Sequence, residues 1–299
     1  MRHAPMQAET VVMRAVTRRY GAQVAVDAVD LSLRAGECVG LVGHNGAGKS
    51  TLIKMMLGLV RPTLGNVTVL GADPCAGAAA PARRALGYLP ENVALHPSLT
   101  GAETLAFYAR LKGQPLAKNP ALLERVGIAA AASRRVGTYS KGMRQRLGLA
   151  QALLGDPCVL LLDEPTTGLD PALRQSFYEI IHDLRGDGAT VLLSSHALAE
   201  LEGQVDRVVV MNRGQKVADG GIADLRGLAA IEPRVRFRAG QGGCDFAGWS
   251  ALADGRFERA CREAELLAVL RDLPASAQEI EILRPSLDEL YAQFQKGAM

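Results

Sequence analysis

A glycine-rich loop between an apolar strand and a helix constrains this chain more than any other feature. The loop follows Val39–Val42 and precedes the helical pattern of Leu52–Leu59. Its residues are Gly43, His44, Asn45, Gly46, Ala47, Gly48, Lys49, Ser50 and Thr51. Glycines let successive backbone N–H groups and the helix N-terminus face one point, where phosphates bind. The context predicts a P-loop, in which Lys49 reaches the β- and γ-phosphates and the Ser50 hydroxyl ligates Mg²⁺.

A second apolar run ends in two carboxylates. Val159–Leu162 is followed by Asp163, Glu164 and a proline. A carboxylate at the end of a buried strand beside a P-loop is placed to hold Mg²⁺ through its water shell, which we predict for Asp163. Glu164 points differently and is a candidate general base for the attacking water. Taken alone, the pair could also be a solvated strand end.

The order of apolar runs indicates a mixed α/β fold. Helical patterns separate several short strands, which favours a mostly parallel sheet with an antiparallel portion near the N-terminus. We expect an inserted helical subdomain at about residues 92–156, where Thr100 and Glu103 form a capping-box pattern. We expect a nucleotide-binding domain at residues 1–221 and a small α/β accessory domain at 222–299. In the latter, the pattern predicts a strand at Val235–Phe237, a glycine-rich turn at residues 240–243, a helix at Arg262–Leu273, a strand at Glu279–Leu283 and a last helix from Ser286.

Composition narrows the class of protein. The 299 residues are 48% hydrophobic and 22% charged, with a net charge of +3, so the chain can bury a core and no concentrated basic face is evident. We therefore expect no nucleic-acid partner. The five cysteines show no metal-ligand spacing and read as reduced thiols. We find no signal peptide or apolar run that could span a bilayer, so a membrane role is expected to need a partner.

A third motif precedes Asp163 by 23 residues. The segment Tyr139–Arg146 opens a Leu- and Ala-rich helix. On its own, Ser140 could be no more than a helix N-cap. In this position the segment resembles the signature of ATP-binding cassette proteins, with Ser140, Lys141, Gly142 and Met143 at the core. Lys141 replaces the first glycine of that signature and Met143 replaces its glutamine.

Further motifs extend the resemblance over roughly residues 10–215. Tyr20 stands where the family has the aromatic residue that stacks on adenine, although a lone Tyr is more often a packing residue. Gly168-Leu-Asp170 is similar to the loop that runs along the family's dimer interface. His196 matches the switch histidine that contacts the γ-phosphate, although a lone His is more often on the surface. The resemblance makes Glu164, His196 and Lys49 the expected catalytic residues.

One further position departs from the family pattern. Most members have a glutamine in the loop that joins the core to the helical subdomain, and this chain has Glu91. A carboxylate can still offer an oxygen to Mg²⁺ or water, so Glu91 is a further candidate ligand beside Ser50 and Asp163. It also adds charge near the phosphates. The same residue is expected to couple the helical subdomain to a partner.

The resemblance implies an ATPase with ATP and Mg²⁺ as cofactors. It implies a homodimer, because the signature of one subunit completes the P-loop site of another. It also implies a separate integral-membrane permease, to which this subunit binds peripherally at the cytoplasmic face of the inner membrane. The helical subdomain near Glu91 and residues 98–107 would contact that permease. Two other classes compete: a soluble cassette acting on ribosomes or DNA, and a P-loop kinase. Translation-type relatives normally carry two cassettes in one chain and DNA-repair relatives split theirs with a long coiled coil, and the sequence shows neither feature. A kinase would not explain the signature or His196.

The finer subfamily rests on two sets of residues. Arg284–Tyr291 resembles the tail motif of cassettes that serve drug and polysaccharide exporters, and an ordinary capped helix from Ser286 explains it equally well. A closer resemblance is to the ATPase subunits of transporters that support nitrous oxide reductase maturation, and it rests on Gly43–Asn45, Tyr88–Asn92, Ala109–Gly113 and Thr138–Pro157. That resemblance implies copper-site assembly in the reductase and a periplasmic accessory subunit.

Overall fold

The computed structural model describes residues 8–229, 231–239 and 246–296. The chain divides into two compact units, Met1–Gly221 and Ile222–Gly297. No helix in the described ranges combines the length and apolar character that crossing a bilayer requires.

Strands of the first unit form two sheets. Their bounds are β1 (Glu9–Tyr20), β2 (Gln23–Arg34), β3 (Cys38–Val42), β4 (Leu64–Val69), β5 (Leu86–Leu89), β6 (Val159–Leu162), β7 (Thr190–Ser195), β8 (Arg207–Asn212) and β9 (Gln215–Gly220). One sheet has the order β5-β6-β7-β3-β8-β9, parallel except for β9. The other is antiparallel, with the order β2-β1-β4.

The parallel sheet is buried where its strands are continuously apolar. Every residue of β3, β6 and β7 is buried, as expected of strands covered on both faces. In β1 and β2 buried residues interchange with exposed ones, so one face packs on the core and the other faces solvent. The predicted mixed α/β fold is confirmed. The long strand β2 was not predicted.

Helices of the first unit flank the parallel sheet and fill the insertion. Their bounds are α1 (Lys49–Met56), α2 (Ala80–Arg84), α3 (Gly101–Lys112), α4 (Asn119–Arg125), α5 (Lys141–Ala152) and α6 (Pro171–Gly186). The predicted capping box is present: Glu103 N–H donates to Thr100 Oγ1 at 3.2 Å, and Thr100 N–H donates to Glu103 Oε2 at 2.8 Å. Residues 92–156 thus consist of α3, α4, α5 and short 3₁₀ turns, with no β-strand.

The second unit is a four-stranded antiparallel sheet with helices. Its elements are α7 (Ile222–Ala229), β10 (Arg234–Ala239), β11 (Ser250–Ala251), β12 (Arg256–Ala260), α8 (Leu266–Arg271), β13 (Ala277–Leu283) and α9 (Leu287–Lys296), and the strand order is β11-β12-β10-β13. The helix predicted at Arg262–Leu273 is wrong at both ends, because a 3₁₀ turn occupies Glu263–Glu265 and α8 stops at Arg271. The predicted glycine-rich turn at 240–243 and Cys244 lie outside the described residues.

Candidate functional site

The glycine-rich loop connects the end of β3 to the start of α1, as the sequence predicted. At two glycines the backbone leaves no room for a side chain. A Cβ on Gly43 would lie 2.8 Å from Met211 O, and one on Gly48 would lie 2.6 Å from Ala25 O. Gly48 also has φ of 104°, which is left-handed backbone that favours glycine. Close packing of this loop against the chain therefore requires glycine at both positions.

The same loop offers a cradle for an anion. Helix α1 begins at Lys49, and no side chain accepts a hydrogen bond from the N–H groups of its first turn. Gly46 has φ of 86°, and a Cβ there would meet no atom within 4 Å. Helix N-termini and open backbone nests of this kind bind phosphates. The residues present fit the phosphate groups of ATP.

Lys49 lies at the centre of the site with its ammonium almost fully buried. Its Nζ donates to Gly43 O at 2.5 Å and lies 3.3 Å from Glu164 Oε1. Only 6% of the side chain is exposed. A buried charge of this kind is costly unless it is paired, and the Glu164 carboxylate supplies the opposite charge.

The two carboxylates at the end of β6 diverge, as expected. Asp163 is buried and its Oδ1 accepts a hydrogen bond from Ser194 Oγ at 2.7 Å. Glu164 adopts φ of 49°, a left-handed conformation that costs a non-glycine residue about 1–3 kcal/mol. Its backbone N–H donates to the same Ser194 hydroxyl at 2.8 Å. The solvated strand end considered above does not occur, because Asp163 is buried and only 11% of the Glu164 side chain is exposed.

His196 completes a three-residue cluster around Glu164. Its Nδ1 lies 2.8 Å from Glu164 Oε2, and the His196 side chain as a whole is about half exposed. The Glu164 carboxylate thus contacts Lys49 through one oxygen and His196 through the other. Among the described residues Oε1 accepts no hydrogen bond of good geometry, despite its contact with Lys49. The fold brings together all three predicted catalytic residues.

Tyr20 borders the same cleft from the end of β1. The cleft has a volume of about 390 Å³. Its lining comprises Tyr20, Gln23, Ala25, residues 44–51, Glu91 and Glu164. Tyr20 is 44% exposed, and the Arg18 guanidinium lies over its ring, 4.5 Å from the centroid. Because the phenol borders the cleft rather than the core, its ring is accessible to a base.

Oxygen ligands for Mg²⁺ converge on this cleft. Ser50 and Glu91 line it, and Asp163 ends the strand beside it. Hydroxyl and carboxylate oxygens are the ligands that Mg²⁺ prefers, and the ion usually completes its shell with water and phosphate oxygens. In the described ranges there is no cluster of three His, Cys, Asp or Glu side chains arranged for a metal. The donor set fits an ion that is held mainly by its nucleotide.

The signature residues lie at a different place on the first unit. Ser140 caps α5, accepting a hydrogen bond from Met143 N at 3.2 Å, so the capping role is real. Ser140, Met143 and Asp170 border a separate cavity of about 360 Å³. Lys141 borders another cavity together with Glu91, so two of the three departures from the family pattern line the same cavity. None of these signature residues lines the cleft of the same chain.

Ser194 is the residue of the site that the sequence prediction missed. Its hydroxyl contacts both Asp163 and Glu164. Two serines, Ser194 and Ser195, end the buried strand β7, and buried hydroxyls are nearly always hydrogen-bonded, but this pattern alone does not say which partners they bind.

Comparison with known proteins agrees with this geometry. The family model described as ABC transporter matches residues 26–167. The Nod factor export ATP-binding protein I of Burkholderia orbicola is 40% identical over 219 residues, which are 72% of each chain. Its namesake in Mesorhizobium japonicum is 40% identical over 73% of this chain and 65% of its own.

A solved structure of the ATP binding subunit of an ABC transporter is 33% identical, with a TM-score of 0.68 over 73% of this chain and 92% of that one. The chain therefore belongs to the ABC transporter family, as an ATP-binding subunit that hydrolyses ATP with Mg²⁺ and works as a dimer with a membrane permease.

Proposed function

We propose that two copies of this chain close head to tail around two ATP molecules. In the closed dimer, the signature of one copy (Ser140, Lys141, Gly142 and Met143) and its Asp170 complete the cleft of the other. The proposal rests on the separation of the signature from the cleft within one chain. Ser140, Met143 and Asp170 border another cavity and do not line the cleft. A second copy is the simplest source of the missing wall.

Each residue of the cleft then has a role. The loop N–H groups and Lys49 bind the phosphates, and Tyr20 stacks on the adenine. Ser50 binds Mg²⁺ directly and Asp163 through water, with Glu91 as a further oxygen ligand. The metal neutralises charge on the phosphates. Glu164 accepts the proton of the attacking water, and His196, 2.8 Å from that carboxylate, orients it.

The helical subdomain would transmit the closure of the dimer to the permease. On α3, Phe107 and Leu111 are largely exposed one helical turn apart. Apolar side chains at this spacing form a continuous stripe, which a cytoplasmic helix of a permease could cover. We therefore assign this face, together with Glu91, to the permease contact, which puts the subunit on the cytoplasmic face of the inner membrane.

We assign the two units to separate tasks. Residues 1–221, with the helical subdomain at about 92–156, form the nucleotide-binding domain, and residues 222–299 form an accessory domain. The catalytic and nucleotide-binding residues named above all lie in the first. We assign the accessory domain a supporting role in the dimer.

The variant Glu164→Gln tests the closed dimer. It keeps the shape of the side chain but removes the base, so hydrolysis should fall by about 10²–10⁴-fold while ATP binding remains. Without turnover, ATP and Mg²⁺ should hold two copies together, and light scattering should report a dimer. Glu179→Gln, on the exposed face of α6, is the matched control and should turn over normally. A Glu164→Gln chain that binds ATP but stays monomeric would contradict the proposal.

The names of the relatives support export as the direction of transport. Both curated relatives described above are named for Nod factor export. We propose that the permease partner of this chain is of the export type, as the tail segment Arg284–Tyr291 also suggests. In the structure Ser286 N–H donates to Glu289 Oε2 at 2.8 Å, so this segment is also an ordinary capped helix start.

Maturation of nitrous oxide reductase is the second candidate. It rests on the segments Gly43–Asn45, Tyr88–Asn92, Ala109–Gly113 and Thr138–Pro157, and implies a periplasmic subunit and copper-site assembly. Tagged Glu164→Gln chain, isolated from native membranes with ATP, separates the two by mass spectrometry of its partners. A permease alone supports export. A permease with a periplasmic subunit and the reductase supports maturation, and ribosomal proteins without a permease would overturn both.

A further inference from the structure

Ser194 lies between the two carboxylates that end the neighbouring strand. The register of β6 and β7 pairs Leu162 with Leu193, so the next residue of β7 comes beside Asp163. The Ser194 side chain is completely buried. It is therefore a buried polar group near the carboxyl end of β7, with the candidate metal ligand and the candidate base as its neighbours.

The Ser194 hydroxyl donates a hydrogen bond to one residue and accepts a hydrogen bond from another. Its proton goes to Asp163 Oδ1 at 2.7 Å, and its oxygen accepts the backbone N–H of Glu164 at 2.8 Å. A hydroxyl has one proton to donate, so the bond to Asp163 fixes its direction and leaves its lone pairs toward Glu164. One side chain thus holds both residues at once.

The bond to Glu164 matters because of that residue's backbone. With φ of 49°, Glu164 adopts a conformation that non-glycine residues rarely take without support. The N–H bond to Ser194 supplies such support on the strand side. This conformation aims the carboxylate at Lys49 Nζ, 3.3 Å away, and at His196 Nδ1, 2.8 Å away. A different backbone at Glu164 would direct the carboxylate elsewhere.

We propose that Ser194 is a positioning residue for ATP hydrolysis, which fixes Asp163 and Glu164 relative to each other. By binding Oδ1 of Asp163 it holds that carboxylate in one rotamer, with Oδ2 left for the metal and its water. By binding the Glu164 N–H it holds the base. The inference rests on the roles proposed above for these two carboxylates.

A buried hydroxyl could also serve stability alone, and the same strand offers a matched control. Thr190 begins β7, is completely buried, donates to Arg34 O at 3.0 Å and accepts from Thr10 Oγ1 at 2.9 Å. It therefore also has a fully hydrogen-bonded hydroxyl, but its hydrogen bonds are made at the opposite end of the strand from the site. Thr190→Ala measures what losing such a hydroxyl does to the fold.

The experiment compares Ser194→Ala, Ser194→Thr and Thr190→Ala in the full chain. We expect Ser194→Ala to lower kcat for ATP by 10–100-fold, with KM for ATP within about twofold, because the phosphate cradle is untouched. The Mg²⁺ concentration for half-maximal rate should rise several-fold. Ser194→Thr, which keeps the hydroxyl, should recover most of kcat. Thr190→Ala should lower the melting temperature similarly and leave kcat and the Mg²⁺ dependence unchanged.

Two outcomes would overturn the inference: a Ser194→Ala chain with kcat and Mg²⁺ dependence like those of Thr190→Ala, or a Ser194→Thr chain as slow as Ser194→Ala. Asp163→Asn and Glu164→Gln are measured in parallel. If these two turn over normally, the proposed roles of the carboxylates fail. If they lose turnover while Ser194→Ala keeps it, only the role of Ser194 fails.

Discussion

The charged cluster in the cleft of the first unit differs in burial from an ion pair on the sheet of the second unit. In the first, Lys49 and Asp163 are buried and Glu164 nearly so, and all belong to one cluster at the carboxyl edge of a parallel sheet. In the second, charges pair across the strands of an antiparallel sheet, with Arg238 and Glu279 as an example at 2.8 Å. Half or more of each of those two side chains is exposed.

This difference in burial distinguishes functional charges from charges that only keep the protein in solution. A buried charge loses its hydration, so a fold keeps it only where other charges and hydrogen bonds compensate. An exposed pair loses little hydration and gains little, since water and salt screen it. The cost of desolvation, rather than the number of ion pairs, therefore marks the first unit as the catalytic one.

Aromatic residues of the two units also differ in their surroundings. In the second unit Phe237 is fully buried, with the rings of Phe246, Trp249 and Phe257 centred 5.3, 4.8 and 5.5 Å away, and these rings build a small core. The first unit buries aromatic residues as well, but its Tyr20 is exposed beside the cleft.

Lys49→Ala is the most direct test of whether burial marks the functional charges. The variant removes the buried ammonium and leaves Glu164 without its opposite charge, and we expect ATP hydrolysis to fall by about 10²–10³-fold. Steady-state ATPase assays measure this. Lys118→Ala, which removes an exposed lysine paired with Asp156, is the control and should be indistinguishable from the parent chain. Equal losses in both variants would mean that burial does not mark function here.

The parts of the site that are contiguous in sequence were predictable. The loop from Gly43 to Thr51 needs only local backbone geometry, and the apolar runs before Asp163 and His196 place both residues at the ends of neighbouring parallel strands. Ser194 was not predictable as a member of the site, because its two bonds depend on the β6–β7 register. No local pattern encodes such a register.

The same distinction holds for the fold. The capping box at Thr100 is local and was predicted. The helix ends of the second unit were not, because the Arg262 N–H donates to Glu265 Oε2 at 3.3 Å and the chain makes a 3₁₀ turn before α8 begins. Apolar periodicity over Arg262–Leu273 does not distinguish such a turn from a first helical turn, since both fit the same spacing.

Substituting Tyr20 should have a smaller effect, and it tests whether the exposed ring of Tyr20 binds a base. Stacking on a base contributes about 1–3 kcal/mol, so Tyr20→Ala should weaken ATP binding by about 5–150-fold. Tyr20→Phe keeps the ring and should bind nearly normally. Because an exposed side chain contributes little to packing, neither variant should change the melting temperature much. Calorimetric titration of ATP measures the affinity, and a large loss of stability in Tyr20→Ala would instead make this ring a packing residue.

Arg238→Ala gives the smallest expected effect and tests the other half of the comparison. Removing one partner of an exposed ion pair should change the stability of the second unit by less than about 1 kcal/mol, because the Glu279 carboxylate regains hydration. Thermal unfolding at low and high salt measures this, and the small difference should shrink further in salt. ATPase activity should not change. A loss of turnover in Arg238→Ala would show that the charged sheet of the second unit contributes to catalysis, and burial would then fail as the criterion that separates the two units.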